Sequence, residues 1–91
     1  MNPEGVKHEL TEVVRHAQDT IDAINEMHRA ATDDAGLTID LGHILDHLCR
    51  AWNCRHLDPE TIDRLPEDRF DECSDNVPNF QHRRKLLNFT H

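Results

Sequence analysis

EGVKHELTEVVRHAQDTIDAINEMHRAA, residues 4–31, is the stretch on which the fold turns. Val6, Leu10, Val13, Ala17, Ile21, Ile24, His28 and Ala31 recur at steps of three or four, with Val14 and Met27 beside that line. This is the period of one face of an α-helix. The other face carries Glu9, Glu12, Arg15, Asp19, Asp22, Glu26 and Arg29. Glu12–Arg15 and Glu26–Arg29 stand three residues apart, a spacing that adds about 0.2–0.5 kcal/mol per pair. No proline or glycine follows Gly5 in this stretch, so one helix of roughly 40 Å is expected from Glu4 to Ala31.

Beyond it, Thr32-Asp33-Asp34-Ala35-Gly36-Leu37 breaks the period and suits a tight helix–helix connection. A second helix is expected from Thr38 or Asp40, either of them a competent N-cap, to Arg55. Its apolar stripe is Leu41, Ile44, Leu45, Leu48, Ala51 and Trp52, and Gly42 near its start costs about 1 kcal/mol relative to alanine. Asp58-Pro59-Glu60 offers a cap, a proline at the first helical position and an acid in the first turn, so a short third helix begins there and Pro66 ends it. A fourth is expected from Pro66 to about Cys73, with Ile62, Leu65 and Phe70 buried. Ser74 to Pro78 reads as a loop, and Asn79 to Phe89 as a terminal helix turning Phe80, Leu86 and Leu87 inward.

No strand alternation or internal repeat is visible, so the chain is expected to be all-α. It reads as one domain over residues 1–91, a long helical hairpin plus two or three short C-terminal helices. The hairpin's two apolar stripes are expected to face each other, and two stripes cannot close a full bundle. Either the short helices cap the open side or a second copy does; a symmetric dimer would complete a four-helix bundle with Ile24, Leu48 and Trp52 at its interface.

The chain has 91 residues, with 18 Asp plus Glu against 10 Lys plus Arg and a formal net charge of -8. That balance opposes a sequence-independent nucleic-acid binder, whose affinity comes from an excess of basic side chains. No apolar run approaches the roughly 20 residues needed to cross a bilayer, and Met1 to Gly5 lacks the pattern of a secretory signal, so no membrane partner is expected. Three cysteines, an odd number, then point to reduced thiols and a cytoplasmic location. Eight histidines are the compositional outlier: protonating all of them would take the formal charge from -8 to 0.

Reactive side chains are densest from Asp46 to His56, preceded by His43. His43 and His47 form an H-x-x-x-H pair, a spacing that can place two imidazoles on one ion such as zinc. A third ligand would come from His28, Glu26 or a partner chain. The segment His43-Ile44-Leu45-Asp46-His47 lacks the second-position glutamate of the metalloprotease helix. Cys49 and Cys54 point about 140° apart on a helix and cannot pair with each other. Cys49 is expected at the core edge, Cys54 nearer the surface with Arg50 as its one activating neighbour, and Cys73 alone. Gln81-His82-Arg83-Arg84-Lys85 is the only basic run, suited to a helix end or to an acidic surface. No catalytic or cofactor-binding residue is assigned. The leading expectation is a non-enzymatic interaction module that self-associates as a homodimer. The rivals are a metal-binding helical protein using His43 and His47, and an acidic inhibitor or nucleic-acid mimic that occupies a basic partner.

Overall fold

The structure, a computed structural model, describes residues 1–27 and 33–79. Helix α1 runs over Pro3–Asn25, where Pro3 occupies the first helical position and the Asn2 side chain accepts the Gly5 N–H at 3.1 Å. Helix α2 runs over Asp34–Asn53, capped by Asp33, whose carboxylate accepts the Gly36 N–H at 2.7 Å. Helix α3, Pro59–Asp63, starts at the expected signal: Asp58 accepts the Thr61 N–H at 2.7 Å, and this bond holds its carboxyl below the usual aspartate range. Helix α4 spans Glu67–Asp75, with Glu67 and Asp68 in its first turn. An all-α fold of a long hairpin and two short following helices is thus confirmed among the described residues.

Several boundaries differ from expectation. The first helix ends at Asn25 rather than Ala31, because the chain turns at Glu26 and Met27, the latter in the left-handed region at φ 59°. The second begins before Thr38, since Asp33 is an N-cap rather than a linker residue. It ends at Asn53 rather than Arg55, where Cys54 caps it. The fourth continues through Ser74 and Asp75, which were expected in a loop; Ser74 is buried there and its hydroxyl donates to the Phe70 carbonyl at 2.9 Å. Phe80, Leu86, Leu87 and the run 81–85 lie outside the described residues, as does His28.

The larger difference is which faces meet. The hairpin was expected to close on its two apolar stripes, yet Leu10, Val14, Ile21 and Ile24 of α1 and Leu41, Leu45, Leu48 and Trp52 of α2 are all exposed. The buried set is Gly5, Glu9, Cys49, Arg50, Cys54, Ile62 and Ser74. Along α1 the inward line is Gly5, Glu9, His16, Thr20 and Ala23, one residue and so about 100° away from the apolar line. At the centre, Glu9 Oε2 lies 2.7 Å from His47 Nδ1 and 3.4 Å from Arg50 Nε. Arg50 Nη1 donates to Ser74 Oγ at 2.7 Å, and its guanidinium lies 4.6 Å from the centre of the Phe70 ring. One buried polar knot thereby ties α1, α2 and α4 together.

Two further contacts fix the frame. Asn53 Nδ2 donates to the Cys73 and Asn76 carbonyls, clamping the end of α4 to the end of α2. At the other edge, the Asn2 N–H donates to the Arg55 carbonyl at 2.6 Å. Gly5 lies so close to the Leu57 carbonyl oxygen that a side chain there would collide with backbone. Gly42, by contrast, faces open space.

Candidate metal centre

Glu12 and His16 lie one turn apart on α1, and His47 faces them from α2. One ligand-capable atom from each comes within 4.8 Å of the other two, and all three residues are half-buried. The hairpin geometry explains the convergence: His16 lies on the inward line of α1 and Glu12 beside it, and Glu9 on that line holds His47 in place.

Each ligand has an orienting partner. A carboxylate only accepts, so in the tautomer that serves Glu9 the imidazole proton stands on Nδ1 and Nε2 is the nitrogen that can ligate. Arg50 Nη2, a donor only, lies 2.8 Å from the same Nδ1 and 3.5 Å from Nε2, so it competes with Glu9 for the ring, while its positive charge pairs with the Glu9 carboxylate. Glu12 receives both Nε and Nη2 of Arg15 on Oε2, at 2.8 and 2.6 Å, so Oε1 is the oxygen that can turn to a metal. The Arg15 bond holds the Glu12 carboxyl below the usual range and keeps it ionised, the form that ligates. His16 stacks on His47 with ring centres 5.0 Å apart and an interplanar angle of 29°.

The sequence pair His43 and His47 is split by this arrangement. His47 is in the cluster, whereas His43 is exposed and meets the edge of the His16 ring at 5.6 Å. Sequence reasoning missed His16 and Glu12 as partners of His47. The signal that could have found them is E-x-x-x-H at residues 12 and 16, an i, i+4 pair like the one noticed on α2. The thiols also sit differently from expectation. Cys54 is buried, not near the surface, and its neighbour is Cys73, so Cys73 is not alone. Burial and the Cys73 thiol push the Cys54 thiol up to about 12, the opposite of activation. Cys49 is fully buried and its thiol too is raised by burial.

No family model, curated protein or solved structure matches this chain. The site's own chemistry therefore carries the functional reading. Two imidazole nitrogens and one carboxylate oxygen form a three-ligand set of the kind that holds Zn²⁺ with a fourth position open, or Fe²⁺ with three. No described helix is long and apolar enough to cross a membrane.

Proposed function

We propose that this protein binds a divalent transition-metal ion, zinc by preference of the donor set, through Glu12, His16 and His47. The observation that carries the reading is the convergence of three donors from two helices, with His47 oriented by a buried carboxylate. A carboxylate–histidine–metal chain of this kind fixes the ring and raises ligand basicity. The net charge of -8 favours cation uptake in the same direction. The reading gives the chain no catalytic residue; the ion's role is to join α1 to α2 and steady a thin core.

The test is calorimetric titration of the intact chain, prepared without a polyhistidine tag, with zinc chloride. One ion per chain and a raised melting temperature are expected, and acidification should weaken uptake because imidazole ligates only when neutral. His16→Ala and His47→Ala should abolish the binding while His43→Ala leaves it. No stoichiometric uptake, or uptake lost only in His43→Ala, would refute the assignment.

A second reading, a non-enzymatic module that associates with itself, is favoured by a different observation: the apolar flank of the hairpin lies open.

A further inference from the structure

Leu10, Val14, Ala17, Ile21 and Ile24 follow steps of four, three, four and three along α1; Leu41, Leu45, Leu48 and Trp52 follow four, three and four along α2. These are the a/d positions of helices that pack knobs-into-holes. Apart from half-buried Ala17, each of these residues is 41–68% exposed. The two ridges lie on one flank of the hairpin and border a shared groove lined by Val6, Leu10, Leu48, Ala51 and Trp52. The short helices pack elsewhere: α4 meets α2 through Arg50 and Asn53, and Gly5 near the start of α1 rests on the chain leading into α3.

We infer that a second copy of this chain covers this flank, the two hairpins meeting face to face as a four-helix bundle. The area fits: eight large side chains open to this degree expose roughly 800 Å² per chain, about what each partner gives to a standard stable interface. A contiguous apolar patch of that size exceeds what a monomer's surface ordinarily carries. Charge fits as well. The outer edges of the ridges hold Lys7, Thr11, Arg15, Gln18, Asp22 and Asn25 on α1 and Thr38 and Gly42 on α2, with Asp22 the one acid among them and Lys7 and Arg15 both basic. Two chains of charge -8 can therefore approach here across an edge where basic side chains outnumber acidic ones. A two-fold contact uses the same patch on both chains, so one patch suffices. Trp52, with the Arg55 guanidinium 4.0 Å from its ring centre, is placed at the groove as the anchor.

Sedimentation equilibrium on the intact chain at about 100 μM should give twice the 10.6 kDa chain mass, and dilution should return the monomer. Val14→Glu and Leu45→Glu each place a carboxylate where the single chain meets water but the pair does not. Each should raise the dissociation constant at least about tenfold with helicity retained, whereas Asp19→Asn on the far side of α1 leaves the mass unchanged. The melting temperature of the unaltered chain should rise with its concentration, which reads the same equilibrium without any substitution. A monomer at about 100 μM with a concentration-independent melt overturns the inference, including the case in which residues 80–91 cover the patch within one chain. So does a dimer indifferent to both substitutions.

Discussion

Glu9→Met is the most informative single change, because it tests whether a polar knot rather than an oily seam holds α1 to α2. Glu9 is 3% exposed and its carboxylate faces the His47 ring and the Arg50 guanidinium, the latter itself 8% exposed. Replacing it by an apolar side chain of similar length preserves volume and removes the only carboxylate that pairs with Arg50 among the described residues. A buried charge stripped of its partner costs about 3–5 kcal/mol. Arg50 keeps the Ser74 hydroxyl and the Phe70 ring, which places the expectation near the lower end, about 3 kcal/mol. For a chain of this size that corresponds to a melting temperature lower by about 15 °C. The matching cycle is Glu9→Met with Arg50→Met. With both charges gone nothing remains unpaired, so the double variant should be more stable than the sum of the single losses by at least about 1 kcal/mol. Urea unfolding of the four proteins at neutral pH measures all of these terms. Additive losses, or a Glu9→Met chain within about 0.5 kcal/mol of the parent, would refute the placement of the knot at the centre of the fold.

Two other perturbations test separate contacts. Gly5→Ala should cost about 1–3 kcal/mol in urea unfolding, although alanine is the better helix former, because its side chain would displace the Leu57 carbonyl and strain the Asn2–Arg55 hydrogen bond. An unchanged or raised midpoint would show that α1 does not press on that loop. Cys54 should resist iodoacetamide in the folded chain at pH 8 while half-buried Cys73 is modified first. The folded chain holds the Cys54 proton to about 12 and the unfolded chain releases it from about 9, so stability present below pH 9 is lost as pH rises toward 12. Cys54→Ser should flatten this alkaline decline in urea midpoint; an identical decline in both proteins would contradict the assignment.

The period of three and four in residues 4–31 and 41–52 was enough to read two long helices, and Asp58-Pro59-Glu60 enough to place α3 at its true start. What the period cannot say is which helical face another part of the chain covers. On α1 the line through Leu10, Val14 and Ile21 and the line through Glu9, His16 and Thr20 have the same spacing and differ by about 100° of rotation. Hydrophobicity favours the first; the structure turns the second inward, because Glu9 finds His47 and Arg50, 38 and 41 residues away, and those partners are invisible to local pattern. The same distance hides the metal cluster. His47 was singled out by its neighbour His43 on the same helix, whereas the residues that converge on it come from the other helix of the hairpin. Asp33 was misplaced for a smaller reason: a short acidic residue after a threonine serves a linker and an N-cap equally well until the Gly36 amide is seen to point at it.

Burying the polar line and opening the apolar one has a functional consequence. Around α1, Glu12 and His16 lie roughly 120–160° from Leu10, so the metal donors and the apolar ridge occupy opposite flanks of one hairpin. A second copy on the ridge leaves the ligand side open to solvent, and an ion on Glu12, His16 and His47 touches none of the ridge side chains. The two events should then be energetically separate: zinc affinity independent of protein concentration, and dimer dissociation independent of zinc. Both nevertheless depend on the rotation of α1 that Glu9 sets. A change at Glu9 that lets α1 roll by one residue's angle would carry His16 and Glu12 away from His47 and turn Leu10 toward the seam. Metal uptake and association would then be lost together. Glu9→Gln should therefore weaken both measurements in parallel, whereas His16→Ala weakens the first alone and Val14→Glu the second alone.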